Sequence, residues 1–233
     1  MPKKLVLFDI DGTLLSMTEV NRTILADALR KVYGTEGSTG THNFAGKLDG
    51  TIIHEVMQSA GLSESDIAEK FDLAKETYID MFRTQAKASD VVLMQGIREL
   101  LDELSGHSDL LLGLLTGNFE ESGRHKLLLP EINHYFPFGA FADDGFSRNE
   151  LPPVAVKKAY QLTGITFSEH NIIIIGDTEH DIRCARVLNA KSIAVATGTY
   201  SMEELKKHNP HVLYDNLGRT DVVLSEILQS SIN

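Results

Sequence analysis

The sequence predicts an α/β fold, in which an open parallel sheet with helices on both faces carries a helical insertion after its first strand. Short apolar runs recur along the chain, segments with helical periodicity separate them, and the stretch 16–90 shows helical periodicity alone. With 233 residues, of which 42% are hydrophobic, the chain can bury a sizeable core.

Five apolar runs are predicted to be strands: 5–10, 110–115, 171–175, 192–196 and 212–214. Their near-continuous hydrophobicity suits strands that are covered on both faces, as in parallel sheets. Helical patterns lie between and after them, at 96–104, 119–129, 154–162, 181–188 and 202–208. This alternation is typical of a Rossmann-like sheet with three layers, α/β/α.

The segment 16–90 is predicted to be a separate helical domain without strands. Asn21 can cap its first helix, Asp49 comes directly before the second, and Ser63 or Ser65 can cap a long third helix. The predicted domains are therefore a Rossmann-like core made of 1–15 and 91–233, and a helical insertion made of 16–90.

The composition excludes several kinds of partner. Lys and Arg number 22 against 33 Asp and Glu, a net charge of −11, so a basic surface for nucleic acid or an anionic membrane is not expected. No run approaches the roughly 20 apolar residues of a membrane span. The single cysteine, Cys184, cannot form an intramolecular disulfide. We expect a soluble, cytoplasmic protein that is a monomer or weak dimer.

Two carboxylates follow the first predicted strand. Asp9 and Asp11 come after the apolar residues 5–8, and Gly12 stands where the chain must turn. In open parallel sheets, ligands bind beyond the carboxyl ends of strands. Two acids this close at a buried strand end repel each other and lose hydration, so a cation or a shared proton must offset that cost. A solvated pair of acids in a turn is the alternative.

A second acidic cluster, Asp177 to Asp181, follows the strand 171–175. If this strand neighbours the first, Asp177 comes close to Asp9 and Asp11. Several carboxylate oxygens then converge, and Mg²⁺ prefers such ligands together with water and substrate phosphate. For this cluster alone, the alternative is a helix start whose acids are favoured by the helix dipole.

The strand 110–115 leads into Thr116, Gly117 and Asn118, just before a predicted helix. The Thr116 hydroxyl and the backbone N–H groups at that helix start can form a phosphate-binding corner. By itself, a Thr or Asn in such a place is most often only a helix cap.

Together these motifs resemble the haloacid dehalogenase-like hydrolase superfamily. Its first motif, Asp-x-Asp-Gly-Thr-Leu, is matched at 9–14, its second at 116–118 and its fourth at 176–181. The order and spacing of the motifs cover the whole chain. The segment 16–90 resembles the C1 cap of this superfamily, and the chain is similar to its phosphoglycolate phosphatase and β-phosphoglucomutase group.

The resemblance implies that Asp9 attacks phosphorus and becomes an aspartyl-phosphate, while Asp11 protonates the leaving oxygen and later activates water. It also implies that Asp9, Asp11 (through its main-chain carbonyl) and Asp177 hold Mg²⁺. Asp181 is then an outer carboxylate, which orients the metal ligands without binding the metal itself. The implied phosphate-binding residues are Gly12, Thr116, Gly117 and Asn118, with Thr116 also counted as catalytic.

The third motif departs from the superfamily, because the Lys-Pro pair that is common there is missing. We assign its cation to Arg148, which lies before a helix start marked by prolines. Lys157 and Lys158 are the alternatives, although both fall within that helix. An Arg can hold a phosphate oxygen and a carboxylate together.

Substrate choice is expected to depend on the insertion. Lys47 lies in the segment 44–50, which resembles the cap loop that reaches the active site in this group. It could contact the non-phosphate end of a substrate or a second acidic group. A solvated lysine at a helix start is the alternative.

The predicted function is Mg²⁺-dependent hydrolysis of a small phosphorylated metabolite. Three alternatives remain open at this point. They are a sugar-phosphate mutase of the β-phosphoglucomutase type, a dehalogenase, which needs neither a metal nor an acid at Asp11, and a non-catalytic protein that binds phosphate ligands.

Overall fold

The computed structural model describes residues 3–17 and 19–229. Its strands are β1 (Lys4–Phe8), β2 (Leu15–Met17), β3 (Val91–Leu93), β4 (Leu110–Leu115), β5 (Gly139–Ala140), β6 (Ile172–Gly176), β7 (Lys191–Val195) and β8 (Val212–Tyr214). Its helices are α1 (Val20–Tyr33), α2 (Asp49–Ser59), α3 (Glu64–Gln85), α4 (Ile97–Ser105), α5 (Glu120–Leu128), α6 (Leu151–Thr163), α7 (Glu179–Val187), α8 (Met202–Lys207) and α9 (Thr220–Leu228). In the described ranges, no helix is long and apolar enough to cross a lipid bilayer.

The main sheet has six parallel strands in the order β5-β4-β1-β6-β7-β8. The predicted α/β class and parallel sheet are thus confirmed. Because β1 lies between β4 and β6, the carboxyl ends of these three strands are neighbours. The strand order also changes direction at β1, which is where open α/β sheets form their ligand crevice.

Helices cover the two faces of the sheet, and the side chains of β1 alternate between them. Val6 and Phe8 pack in one buried cluster with residues of α4 and α9. Leu5 and Leu7 pack in another, with residues of α6 and α7. Burial on both faces explains why β1 is apolar throughout.

Helices α1, α2 and α3 share a third buried cluster, which also includes Phe119. Of the two predicted cap residues, Ser63 caps α3, in a capping box that includes Asp66. The prediction that Asn21 caps α1 is wrong, because that helix begins at Val20. Asn21 instead accepts a hydrogen bond of 2.8 Å from the Tyr78 hydroxyl of α3, a tertiary contact that its local preference does not reveal.

A short antiparallel ribbon lies where the chain enters and leaves the helical segment. Leu15 of β2 pairs with Leu93 of β3, and Met17 pairs with Val91. The expectation of no strand within 16–90 is therefore wrong at Ser16 and Met17, because three paired residues are too few to show a period of two. The division of the chain into a core and an inserted domain stays a prediction.

Candidate active site

Three buried carboxylates meet beyond the carboxyl ends of β1 and β6. Asp9 directly follows β1, and its N–H donates to the Ile175 carbonyl at 3.0 Å, which continues the pairing of the strands. Oxygens of Asp9, Asp177 and Asp181 lie within 4.8 Å of one another, and all three residues are buried. The structure thus brings together acids from two of the predicted motifs.

Burial makes these carboxylates costly to ionise. It raises the pKa of Asp9 to about 7, with Asp181 and Asp11 adding to the shift and Arg148 opposing it. Burial also raises the pKa of Asp177 well above its ordinary value, and the nearby Asp9 and Asp181 raise it further. Positive charge close to the cluster is needed to keep it ionised.

Arg148 supplies one such charge. Its Nη2 donates to Asp9 Oδ1 at 3.0 Å and also to Asp181 Oδ1. Burial alone would lower the pKa of Arg148, but these two carboxylates raise it above its ordinary value. Among the described residues, its buried Nε has no hydrogen-bond partner.

The two alternative cations lie elsewhere. Lys157 is exposed on α6, and Lys158 donates to Asp144 at 2.7 Å and to the Gly139 carbonyl at 3.0 Å. The structure therefore places Arg148 alone, of the three candidates, against the acidic cluster.

The oxygen atoms of the cluster are not equally available to a metal. Asp181 Oδ2 accepts from the N–H of Thr178 at 3.1 Å and from its hydroxyl at 2.7 Å, while Arg148 engages its Oδ1. Asp177 Oδ1 accepts a bond of 3.1 Å from the Thr13 hydroxyl. The chemistry of the donors fits Mg²⁺, since Asp9 and Asp177 offer hard oxygen ligands that one arginine cannot neutralise. Asp181 is already engaged on both oxygens.

Two glycines permit the close packing at this edge. Gly12 has a φ of 85°, and a Cβ there would lie 2.4 Å from Asp177 Oδ2. A Cβ on Gly117 would lie 2.0 Å from the Lys47 carbonyl oxygen. Any side chain at either position would displace a neighbour, and at Gly12 it would also be strained.

Asp11 is not part of the cluster of three buried carboxylates, and its side chain belongs to a separate polar network. Asn118 Nδ2 donates to Asp11 Oδ2 and to Thr116 Oγ1, both at 2.8 Å. Lys126 of α5 donates to both oxygens of Asp11, at 2.9 and 2.8 Å. Lys126 is a site residue that the sequence does not predict, because its only local signal is its place beside the apolar Leu127 on the helix that follows the second motif.

Residues 44–49, which we call the Lys47 loop, close the site from the helical segment. Asp49 N–H donates to the Gly117 carbonyl at 2.7 Å, and Phe119 N–H donates to Asp49 Oδ2 at 2.9 Å. Lys47 Nζ donates to Glu55 Oε2 at 2.5 Å. Lys47 lines a cavity of about 450 Å³ together with Asp9, Asp11 and Asp177. A cavity of this volume is the size of a small-molecule site.

A family model described as haloacid dehalogenase-like hydrolase matches residues 6–195. The chain belongs to this hydrolase family. It is 26% identical over 209 residues to Pyrophosphatase PpaX of Bacillus pumilus, covering 88% of each chain. It is 23% identical over 215 residues to a phosphoglycolate phosphatase of Vibrio parahaemolyticus, covering 92% of each.

Solved structures of similar fold include a hydrolase from Pseudomonas syringae, with a TM-score of 0.69 and 20% identity, covering 97% of this chain and 99% of that one. A β-phosphoglucomutase from Clostridium difficile has a TM-score of 0.67 and 17% identity, and the match covers 97% of each chain. The resemblance to the haloacid dehalogenase-like family that the motifs indicate is thus confirmed, and these structures support the fold.

Adding Mg²⁺ is expected to raise the melting temperature more near pH 8 than near pH 5. The pKa of Asp9 is raised by burial from an ordinary 3.8 to about 7, so the folded chain binds this proton more tightly than the unfolded chain. Its contribution to stability is therefore complete below about pH 4 and lost as the pH rises to about 7. A cation restores the lost stability where the carboxylate is ionised.

Thermal unfolding with Mg²⁺ or with a chelator, at both pH values, measures this difference. Asp177→Asn should abolish most of the shift, because one of the two free carboxylate ligands is gone. A shift that is equal at the two pH values, or that survives Asp177→Asn, would contradict the assignment of the metal site.

Proposed function

We propose that this chain is a Mg²⁺-dependent phosphatase that releases inorganic phosphate from a small phosphorylated metabolite through an aspartyl-phosphate on Asp9. The observation that carries the proposal is the position of Asp9. It lies at the end of the central strand, beside Asp177, with one oxygen held by Arg148 at 3.0 Å. Membership of a hydrolase family and relatives named as phosphatases support it.

In the first step, the free oxygen of Asp9 attacks phosphorus as the bond to the leaving oxygen breaks. Asp11 gives its proton to that oxygen. In the second step, water attacks the phosphoryl group, Asp11 takes a proton from the water, and the carboxylate of Asp9 leaves. Asp11 loses a proton in the first step and regains one in the second, and Asp9 gains the phosphoryl group and then releases it. Both residues therefore return to their starting state.

The remaining residues hold the phosphoryl group and its charge. In this proposal Arg148, the Thr116 hydroxyl and the N–H groups of Gly117 and Asn118 bind its oxygens, and Gly12 lets the chain approach closely. Mg²⁺ held by Asp9, Asp177 and the main-chain carbonyl of Asp11 would neutralise charge on the transferring group. Asp181 keeps Arg148 in position.

We also propose that 16–90 acts as a cap over this site and that the substrate carries a second anionic group. The two relatives are named for pyrophosphate and phosphoglycolate, and each of these compounds carries a second anionic group. Lys47 and Arg22 line the cavity on the side of the helical segment. Arg22 is held by a hydrogen bond of 3.0 Å to the His42 carbonyl.

Lys47→Ala is expected to raise KM about tenfold while kcat changes less than about threefold, because a charge-assisted hydrogen bond is worth about 1.5–3 kcal/mol and lies far from the reacting bond. Steady-state kinetics on the best substrate measure both constants. Lys70→Ala, at an exposed lysine of α3, is the matched control and should change neither. An unchanged KM in Lys47→Ala would remove Lys47 from substrate binding.

A panel of phosphorylated metabolites assayed with Mg²⁺ tests the proposed function. It should include phosphoglycolate, pyrophosphate, sugar phosphates, nucleotides and p-nitrophenyl phosphate, with phosphate release as the readout. Phosphate release that requires Mg²⁺ supports the proposal. Isomerised sugar phosphate without release would indicate a mutase, and no turnover on any compound would favour a binding protein.

A further inference from the structure

Lys126 is the most deeply buried lysine side chain near the site, with 1% of it exposed. Its Nζ donates to Asp11 Oδ1 at 2.9 Å, to Asp11 Oδ2 at 2.8 Å and to Asn118 Oδ1 at 2.7 Å. An ammonium group has three donors, so each one has an acceptor. This cation is therefore committed to Asp11 and Asn118 and is not available to a substrate.

The two oxygens of Asp11 are left in different states. A carboxylate accepts about four hydrogen bonds, two on each oxygen. Oδ2 accepts one hydrogen bond from Lys126 and one from Asn118 Nδ2, both at 2.8 Å. Oδ1 accepts a hydrogen bond from Lys126 but none from Asn118. The Asp11 side chain is 40% exposed and lines the cavity. Oδ1 therefore has an acceptor position that no described residue fills, on a side chain that lines the cavity.

We infer that Lys126 is a positioning residue that fixes which oxygen of Asp11 exchanges the proton in catalysis. Lys126 and Asn118 saturate Oδ2, so Oδ1 carries the proton to the leaving oxygen and takes one back from water. Lys126 keeps its own three protons throughout. The inference rests on the proposed phosphatase activity and adds to it the residue that orients the general acid.

The surroundings of Lys126 offer a clean substitution. Its Nζ lies 5.9 Å from the centre of the Phe82 ring of α3, and Phe82 is fully buried. Methionine has a similar length and can occupy this apolar environment. Lys126→Met therefore removes the ammonium and leaves most of the packing.

Lys4 provides a matched control at the other end of β1. It is also buried, at 7% exposed, and its Nζ donates to three backbone carbonyls, those of Ile227, Leu228 and Gln229, at 2.7, 2.9 and 2.6 Å. Lys4→Met removes a buried lysine with three acceptors that has no contact with Asp11.

The test is the dependence of kcat/KM on the leaving group, measured with Mg²⁺ on alkyl, phenyl and p-nitrophenyl phosphates. General acid catalysis contributes about 10²–10⁴-fold where the leaving oxygen must be protonated. Lys126→Met is expected to lower kcat/KM about 100-fold or more for the alkyl ester and less than about fivefold for p-nitrophenyl phosphate, whose leaving group departs without a proton. Lys4→Met should leave the ratio between esters unchanged.

Losses that are equal for all esters in Lys126→Met, or no loss at all, would overturn the role of Lys126 while wild-type turnover still supports the phosphatase. No wild-type turnover would overturn the phosphatase and this inference with it. If Lys126→Met does not fold, Lys126→Gln retains a donor and should steepen the dependence on the leaving group to a smaller extent. If kcat/KM depends on the leaving group in Lys126→Gln as it does in the wild type, the inference is wrong.

Discussion

Asp9→Asn should yield a folded protein with phosphatase turnover reduced by at least about 10⁴-fold, since removing the nucleophile of a covalent enzyme can cost on the order of 10⁶. An amide does not attack phosphorus, so no phosphorylated enzyme can form. Arg148 keeps its contact with Asp181, and the change is nearly isosteric, so the fold should survive. Phosphate release and circular dichroism measure the two effects.

The control for this variant is Asp80→Asn, at an exposed acid of α3, which should keep full turnover. Wild-type protein that is acid-quenched during turnover of radiolabelled substrate should carry a label that hydroxylamine removes, as expected for an acyl phosphate, whereas Asp9→Asn should carry none. Substantial turnover by Asp9→Asn would show that another group does the chemistry.

Arg148→Ala is expected to reduce both activity and stability. It leaves Asp9 and Asp181 without their shared cation, and breaking a buried ion pair costs about 3–5 kcal/mol. We expect turnover to fall at least about 100-fold, because each 1.4 kcal/mol of lost transition-state binding is a factor of about ten. Steady-state kinetics and denaturant unfolding without metal measure these changes.

Lys157→Ala is the comparison, because this lysine is exposed on the helix that follows Arg148. A surface substitution of this kind usually changes the free energy of unfolding by less than about 0.5 kcal/mol, and activity should be unaffected. Arg148→Lys should be intermediate, since a single ammonium does not reproduce the planar guanidinium between two carboxylates. A larger loss of turnover in Lys157→Ala than in Arg148→Ala would reverse our choice of cation.

The sequence was sufficient to predict the edge of the sheet at which the site lies. The run 110–115 has the bounds of β4, because a strand covered on both faces is apolar throughout. Asp9 and Asp177 meet as predicted because parallel strands point their carboxyl ends the same way. Arg148 could be assigned to the site only through the resemblance to the superfamily, whose third-motif cation lies in the loop before a helix. The structure shows Pro152 and Pro153 in the first turn of that helix, α6.

Other features depend on contacts that no local pattern encodes. Lys126 lies on a face of α5 that is buried against α3. The sequence of α5 does not show that this face is buried, so the contact of Lys126 with Asp11 could not be predicted. The ribbon of β2 and β3 joins residues that are far apart in sequence. Helix α9 was missed as well, although Val223 and Ile227 are buried on it.

Two hydrogen bonds join Asp49 to Gly117 and Phe119, and they allow movement of the Lys47 loop to be measured. If the loop moves off the sheet edge, the Gly117 carbonyl and the Phe119 amide both lose their partners in the same event. Deuterium uptake at the Phe119 amide therefore counts departures of the loop. A ligand that bridges the loop and the strand ends should slow that uptake, whatever its chemical identity.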